Sequence, residues 1–225
     1  PATPAGASTP GRTTVSGLVT EQRSPVPPRR VNRSHLILAS ASPRRCELLA
    51  QIGIEFEQRV ADIDETPVQG ESAEAYVRRM ALEKARAVRR ADNDELPVLG
   101  ADTVVVVDGM PLGKPQDFTH AREMLKQLSG RMHEVLSAVA LVATAEVIAV
   151  NRSKVWFREL SETELEAYWE TGEPRDKAGS YAIQGLAAIF IERLDGSYSG
   201  VMGLPLYETA RLLQDSGFQV LDQHS

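Results

Sequence analysis

The fold of this 225-residue chain is decided by the stretch Val98-Leu99-Gly100-Ala101-Asp102-Thr103-Val104-Val105-Val106-Val107. Its run of β-branched apolar residues predicts a buried strand that begins near Leu96 and ends at the turn pair Asp108-Gly109. Because side chains alternate along a strand, Asp102 is expected to share one face with four neighbours, which are Val98, Gly100, Val104 and Val106.

Strand and helix patterns alternate on both sides of this stretch. Further strands are predicted at 36–39, 54–60, 135–150 and 154–159, and another is reached through a loop within 181–193. Helices are predicted at 43–52, 72–90, 119–128, 162–170 and 203–214. This order, with some strands adjacent to each other, predicts an α/β fold with a mixed sheet flanked by helices.

Residues 1–34 differ in composition from the rest of the chain. They contain six prolines and many hydroxyl residues, and they show almost no apolar periodicity. Such a segment buries too little apolar surface to offset the entropy lost on ordering, so a disordered tail or extension is predicted. Its arginine-rich, acid-poor composition leaves an organelle transit peptide open as an alternative. The folded domain is expected over residues 35–225.

The overall composition restricts the class of protein. A net charge of −6 argues against a general nucleic-acid binder, which would need a basic surface. The apolar runs are far shorter than the roughly 20 residues of a membrane-spanning helix, so no membrane contact is expected. Cys46 is the single cysteine, which excludes an intrachain disulfide and fits a reducing compartment. An acidic chain that handles a polyanion must gather its cations locally.

The sequence Ser40-Ala41-Ser42-Pro43-Arg44-Arg45 follows a predicted strand and opens a predicted helix. Ser42 is the expected N-cap, and Pro43 suits the first helical position. A helix N-terminus binds anions through its unpaired N–H groups, and arginine matches phosphate oxygens with paired hydrogen bonds. Two arginines at the positive end of a helix oppose its dipole, which favours an anion site over a plain cap with solvated arginines.

Asp102 and Lys84 are charged residues at positions where the patterns are apolar. A carboxylate inside an apolar strand needs a partner, a metal or a wet cleft, because uncompensated burial is costly. The alternative is a structural ion pair with a buried arginine. Lys84 lies on the apolar stripe of its helix, where it either extends to solvent or points into a cleft. Lys114, between Gly113 and Pro115, indicates little by itself.

Two loop segments carry groups that suit a nucleotide. The acidic loop Asp62-Ile63-Asp64-Glu65 is by default a solvated loop, with Mg²⁺ ligation as the alternative. The amide of Gln184, within residues 176–185, either pairs with a nucleobase edge or lies in an ordinary turn. The sequence contains no glycine-rich phosphate loop, dinucleotide-binding fingerprint or zinc-binding helix. Carboxylates, cations and a metal are therefore expected to carry the chemistry.

Five motifs occur in order along the chain, and they are Ser40–Arg45, Glu83-Lys84-Ala85, Gly100-Ala101-Asp102-Thr103, Gly113-Lys114-Pro115 and Asp176–Gly185. As a set they resemble the Maf family of nucleotide pyrophosphatases, from about Leu36 to the last helix. The resemblance implies two lobes around a cleft, similar to inosine triphosphate pyrophosphatases. It also implies a divalent metal cation, a cytoplasmic location and often a homodimer.

The resemblance further implies hydrolysis of a nucleoside triphosphate to the monophosphate and pyrophosphate. Asp102 and Glu65 are the expected catalytic carboxylates and the expected ligands of Mg²⁺ or Mn²⁺. The residues expected to bind the phosphates are Ser40, Ser42, Arg45, Lys84 and Lys114. Those expected to read the base are Arg44, Thr103 and Gln184, and they indicate the branch of the family that acts on dTTP and UTP, with modified pyrimidine nucleotides as further candidates.

Two alternatives stay open. The first keeps the reaction but takes a purine or 7-methylguanine nucleotide as substrate. The second is a nucleotide-binding regulator of cell division or septation without useful turnover. A pure binder has no need of Asp102 inside an apolar strand, so the residue favours the enzyme.

Overall fold

The computed structural model describes residues 36–60, 62–91 and 96–220, which form one mixed sheet of seven strands. The strands are β1 (Leu36–Ala39), β2 (Phe56–Arg59), β3 (Val98–Val107), β4 (Met110–Leu112), β5 (Met132–Val142), β6 (Glu146–Phe157) and β7 (Ile191–Asp195). Their spatial order is β2-β1-β3-β5-β6-β7, and β4 also pairs with β3. The predicted tail at 1–34, with residues 35 and 221–225 of the predicted domain, lies outside the described residues.

Helices cover both faces of this sheet. They are α1 (Pro43–Gln51), α2 (Ala73–Ala91), α3 (Phe118–Leu128), α4 (Glu162–Glu170), α5 (Tyr198–Met202) and α6 (Leu206–Asp215), with short 3₁₀ turns at Glu173–Asp176, Ala178–Ser180 and Leu186–Phe190. On one face, Val104 of β3 shares a buried cluster with Val77 and Ala81 of α2. The predicted α/β fold with a mixed, helix-flanked sheet is confirmed. Within the described ranges, no helix is long and apolar enough to cross a membrane.

Two separate apolar cores lie on the face of β3 opposite α2. Leu99 and Ala101 belong to a core that includes residues of α1 and α6. Val105 and Val107 belong to another core, which includes residues of α3 and α4. Thr103 lies between these two pairs on the same face, since side chains alternate along the strand. These two cores lie on either side of Thr103, where the family resemblance implies a cleft between two lobes.

The cleft follows from how strands pair along one edge of β3. β1 pairs in parallel with residues 98–100, and β4 pairs antiparallel with residues 105–107. The opposite edge is covered by β5 from Val98 to Val106. Among the described strands, none pairs with residues 101–104 on the first edge. Asp102 and Thr103 therefore lie where the sheet opens between its parallel and antiparallel parts.

A two-residue turn connects β3 to β4. Val107 pairs with Met110, and the intervening Asp108 and Gly109 have φ angles of 51° and 78°. Positive φ at both central residues is the geometry that Asp-Gly adopts in tight hairpins, so the predicted turn is confirmed. β4 was not among the predicted strands, because a strand of three residues is too short to show alternation.

The sequence prediction was wrong at two boundaries. The predicted strand at 135–150 is divided between β5 and β6 by a turn at 143–145, which carries no glycine or proline to mark it. β6 also absorbs most of the strand predicted at 154–159. The helix predicted at 203–214 begins only at Leu206, and the separate helix α5 precedes it. The other predicted elements agree with the structure to within two residues at either end.

Candidate active site

A cavity of ≈660 Å³ lies at the unpaired edge of β3. Its walls bring together the ten residues to which the family resemblance assigns a role, which are Ser40, Ser42, Arg44, Arg45, Glu65, Lys84, Asp102, Thr103, Lys114 and Gln184. Of the acidic loop, Glu65 lines the cavity, whereas Asp62 and Asp64 are not among its wall residues. The ten residues come from α1, α2, β3 and four loops that are distant in the sequence. Their assembly is a feature of the structure, whereas their individual roles stay predictions.

Lys84 lies between the two predicted catalytic carboxylates. Its Nζ atom is 2.7 Å from Asp102 Oδ1 and 2.8 Å from Glu65 Oε1. The side chains of Lys84 and Asp102 are 13% and 12% exposed, so this pair is largely removed from solvent. Of the two alternatives for Lys84, the structure therefore shows the one directed into a cleft. The partner of Asp102 is this lysine rather than the arginine of the alternative interpretation.

Glu65 is the more exposed of the two carboxylates, with half of its side chain accessible. Burial opposes its ionisation, but the hydrogen bond and charge of Lys84, together with the charges of Lys114 and Arg45, outweigh burial and lower its pKa. Glu65 therefore stays anionic at neutral pH and is accessible from solvent. Both properties suit a metal ligand.

Arg45 is held in the cavity wall by two hydrogen bonds. Its Nε donates to the carbonyl oxygen of Gly203 at 2.8 Å, and a terminal nitrogen donates to Ser40 Oγ at 3.3 Å. Burial lowers the pKa of Arg45; the charge of Asp102 acts against this effect and that of Arg44 adds to it. A fixed guanidinium with few water contacts is well suited to bind phosphate oxygens.

The first turn of α1 differs from the predicted serine cap. Ser42 occupies the N-cap position, but its side chain makes no capping hydrogen bond. Its backbone N–H instead donates to Ser40 Oγ at 3.1 Å, and Gln58 Nε2 donates to the Ser40 carbonyl oxygen at 2.8 Å. Ser40 is 5% exposed. The Ser40 hydroxyl therefore stabilises this turn, because both Ser42 N–H and Arg45 converge on it.

The three residues predicted to read a base occupy different parts of the wall. Thr103 faces away from Asp102 across the strand, and its Oγ1 is 2.8 Å from Ser137 Oγ and 3.4 Å from the Gly203 carbonyl oxygen. Arg44 is half-buried on α1, and Gln184 is exposed in the segment between two 3₁₀ turns. Thr103 is thus tied into a protein hydrogen-bond network, whereas Gln184 presents an exposed amide.

Tyr76 is a wall residue whose functional position the sequence prediction missed. Tyr76 lies within the helix predicted at 72–90, and the sequence analysis gives it no function. Its hydroxyl donates to the backbone carbonyl oxygen of Glu65 at 3.0 Å. Burial and the charges of Asp102 and Glu65 raise the pKa of Tyr76 to about 12. The sequence signal that could have identified Tyr76 is its position two helical turns before Lys84, which places both side chains on the same side of α2.

The charges around the cavity are predominantly positive. Five basic residues line it, which are Arg44, Arg45, Lys84, Lys114 and Lys177. Three acidic residues line it, which are Glu65, Asp102 and Asp176. The chain as a whole carries a net charge of −6, so cations are concentrated at this place. A polyanion such as a nucleotide triphosphate group is the ligand that this distribution favours.

The donor set fits a metal only in combination with a ligand. Within the described residues, no group of three or more His, Cys, Asp or Glu side chains is arranged to hold an ion. Glu65 and Asp102 are the carboxylates at hand, and both contact Lys84. Mg²⁺ is commonly bound through one or two carboxylates plus substrate phosphates. Two carboxylates in a cavity whose charged lining residues are mainly cations fit that arrangement.

The chain is similar to known proteins by family profile, by sequence and by structure. The profile of the family described as Maf-like protein matches residues 35–216. A protein named dTTP/UTP pyrophosphatase from Hahella chejuensis is 53% identical, covering 84% of this chain and 95% of that protein. A protein of the same name from Alkalilimnicola ehrlichii is 54% identical, covering 81% of this chain and 93% of that one. A solved structure of a HAM1 protein from Coxiella burnetii is 18% identical, with a TM-score of 0.47, and the match covers 80% of this chain and 98% of that one. This likeness is too weak to bear on function.

Proposed function

Because this chain belongs to the Maf-like protein family, we propose that it hydrolyses dTTP and UTP to the nucleoside monophosphate and pyrophosphate. Two relatives that are 53% and 54% identical over more than nine-tenths of their lengths carry the name dTTP/UTP pyrophosphatase. The observation that carries the proposal is the placement of Lys84 between Glu65 and Asp102, in a cavity where basic residues outnumber acidic ones by five to three.

The triphosphate would occupy the basic part of the cavity. Arg45, Lys84 and Lys114 would contact phosphate oxygens. In the first turn of α1 the Arg44 N–H would be a further donor, because Ser42 N–H is donated to Ser40 and Pro43 has no N–H. Arg45 already has its Nε on Gly203, which fixes the orientation of the guanidinium before a nucleotide arrives. Such preorganisation reduces the entropy lost when the substrate is positioned.

Asp102 is the proposed general base. Its carboxylate would orient a water molecule and accept a proton from it as the water oxygen forms a bond to the α-phosphorus. The bond from the α-phosphorus to the bridging oxygen then breaks, and pyrophosphate leaves with the electron pair. Lys84 and Arg45 would stabilise the negative charge that develops in this step. General-base assistance contributes roughly 10²–10⁴ in rate.

Mg²⁺ or Mn²⁺ is the proposed cofactor. Asp102 and Glu65 are the residues that would hold it, together with phosphate oxygens of the nucleotide. When bound, the cation neutralises phosphate charge and polarises the reacting phosphoryl group. A homodimer and a cytoplasmic location stay predictions.

Arg44, Thr103 and Gln184 are proposed to select the base. Uracil and thymine present the same hydrogen-bonding edge and differ by one methyl group, which discriminates by only roughly 1–3 kcal/mol. Both dTTP and UTP are therefore expected substrates. A site built around hydrogen bonds to that edge rejects cytosine, because its polar groups would be left without partners.

Pyrophosphate release tests this proposal. Purified protein is assayed with Mg²⁺ on dTTP, UTP, CTP, dATP, GTP and 7-methyl-GTP, each with and without EDTA. Release from dTTP and UTP that EDTA abolishes is the expected result. Release from purine nucleotides instead would overturn the base assignment while keeping the reaction. Binding of nucleotides without any release would overturn the reaction and favour a regulatory protein.

A matched pair of variants tests the role of Asp102. Asp102→Asn should lose at least roughly 10²-fold in kcat, because the amide cannot accept the proton. Asp215→Asn makes the same chemical change at an exposed position at the end of α6, away from the cavity walls, and should keep the kcat of the unaltered protein. Near-normal turnover by Asp102→Asn would remove this residue from the mechanism.

A further inference from the structure

A chain of hydroxyl groups runs from the cavity wall into the sheet. Thr103 on β3 is directly opposite Ser137 on β5 in the strand register, and their Oγ atoms are 2.8 Å apart. Ser137 is 1% exposed, and its Oγ lies 2.5 Å from the carbonyl oxygen of Gly200. Thr103 itself lines the cavity. Ser137 therefore connects a wall residue to a buried carbonyl group.

The carbonyl end of this chain fixes the direction of the hydrogen bond that Ser137 donates. A carbonyl oxygen only accepts, so the one hydroxyl hydrogen of Ser137 is donated to Gly200. The Ser137 oxygen must then accept from Thr103, whose single hydrogen is used inside the protein. If Thr103 instead donates to the more distant Gly203 carbonyl oxygen, 3.4 Å away, its hydrogen is likewise used internally. In either arrangement Thr103 Oγ1 has no hydrogen left to donate to a ligand and can act toward it only as a hydrogen-bond acceptor.

We propose that Ser137 is a specificity-positioning residue, which fixes Thr103 as a hydrogen-bond acceptor toward the substrate. The nucleotide group that meets Thr103 Oγ1 must then be an N–H or O–H donor. This inference rests on the proposed hydrolysis of dTTP and UTP and on the assignment of Thr103 to base selection. It adds a residue that makes no contact with substrate.

Uracil and thymine have the required donor, because their N3 atom carries a hydrogen. The N3 atom of cytosine carries none and would oppose a lone pair of Thr103 with its own. Two facing acceptors cannot form a hydrogen bond, and both would be left desolvated. A hydroxyl free to rotate would donate to cytosine N3 as readily as it accepts from uracil N3–H. Because Thr103 donates its hydrogen to Ser137, its hydroxyl cannot turn to donate to cytosine.

Removal of the Ser137 hydroxyl should therefore relax the choice of base. In Ser137→Ala, the acceptor that remains for Thr103 among the described residues is the Gly203 carbonyl oxygen, and 3.4 Å is too long for a strong O–H···O bond. Gly203 also already accepts from Arg45. The Thr103 hydroxyl can then turn outward and donate, so cytosine is no longer excluded on this ground.

The test compares kcat/KM for UTP and CTP in each protein. Ser137→Ala should lower the UTP:CTP ratio by about tenfold or more, since discrimination by matched polar groups is far larger than this. Ser153→Ala is the matched control, because Ser153 is an equally buried serine on the neighbouring strand β6. Its hydroxyl forms hydrogen bonds with Asn151 and Ser197 and not with Thr103. Its ratio should equal that of the unaltered protein.

The ratio separates specificity from stability. Both kcat/KM values come from one preparation, so a reduced fraction of folded protein cancels. If Ser137→Ala does not fold, Ser137→Cys keeps the size of the side chain but offers only weak hydrogen bonds, and the same fall in ratio is expected. An unchanged ratio in a folded Ser137 variant, or equal use of UTP and CTP by the unaltered protein, overturns the inference. Absence of UTP turnover in the unaltered protein overturns the proposed function instead.

Discussion

Replacing Gly100 by alanine tests whether the close contact between β3 and α2 sets the geometry of the site. Gly100 lies on the face of β3 that α2 covers, two residues before Asp102. A Cβ atom on Gly100 would lie 2.2 Å from the carbonyl oxygen of Ala81 and 2.9 Å from the backbone nitrogen of Ala85. Both are backbone atoms of a helix, which cannot rotate aside as the end of a long side chain can.

The size of the effect follows from this overlap. To restore an ordinary contact of 3.4 Å, α2 must move away from β3 by roughly 1 Å, because packed interiors contain no spare space. Overpacking of this kind costs about 1–3 kcal/mol of unfolding free energy, or more. For a chain of this size the melting temperature would fall by about 2–12 °C. Lys84 lies between the two contacted residues, so the displacement also moves its ammonium group, and a 1 Å misplacement costs roughly 10²-fold in rate.

Chemical denaturation and steady-state kinetics measure the two consequences together. Gly113→Ala is the control for stability, because a Cβ atom there meets nothing within 4 Å. Its unfolding free energy should stay within about 0.5 kcal/mol of the unaltered protein. Gly100→Ala as stable as Gly113→Ala would refute the overpacking argument. A destabilised Gly100→Ala with full kcat would refute the coupling between this contact and Lys84.

Two further predictions concern side chains near the site. Tyr76→Phe removes the hydrogen bond to the Glu65 carbonyl oxygen, which is worth about 0.5–1.5 kcal/mol. The value of kcat/KM for UTP should therefore fall by roughly 2–10-fold. Tyr198→Phe, at an exposed tyrosine, is the control and should leave kcat/KM unchanged. Burial, with a smaller effect of Arg131, lowers the pKa of His133 from 6.5 to about 4. As the pH falls, the unfolded chain therefore takes up a proton at this histidine before the folded protein does, and the folded protein loses stability. Urea unfolding should therefore show a loss of about 3 kcal/mol between pH 6.5 and 4 that His133→Gln reduces and His120→Gln retains; equal losses in all three proteins would contradict it.

Local patterns in the sequence are sufficient to predict most of the elements. The run at 98–107 is apolar and β-branched, and it forms β3. The stripe at 73–88 has helical spacing, and its residues Val77, Met80 and Ala81 are buried in α2. The Asp108-Gly109 pair forms the tight turn that its φ preferences allow. Each of these features depends on neighbouring residues, which is why the sequence predicts them.

The residues of the candidate site were predicted from chemistry that does not suit a purely structural role. Asp102 in an apolar strand and two arginines at a helix N-terminus are unfavourable for stability alone, so the sequence already indicates a ligand. The resemblance to a family added Thr103, Lys114 and Gln184, whose local patterns carry little information. The sequence prediction missed Tyr76 and Ser137. Each lies in a mainly apolar predicted element, and that position is explained equally well by a structural role.

The sequence by itself, with the family resemblance that its motifs carry, determined the fold class, the strand that carries Asp102 and ten of the residues around the cavity. Only the tertiary structure decided that β1 and β4 share one edge of β3 and leave residues 101–104 open, that Lys84 lies between two carboxylates, and that Ser137 faces Thr103. The physical reason is that strand pairing and register are set by contacts between residues far apart in the chain. A local pattern fixes which face a side chain occupies, but not which distant group it meets there.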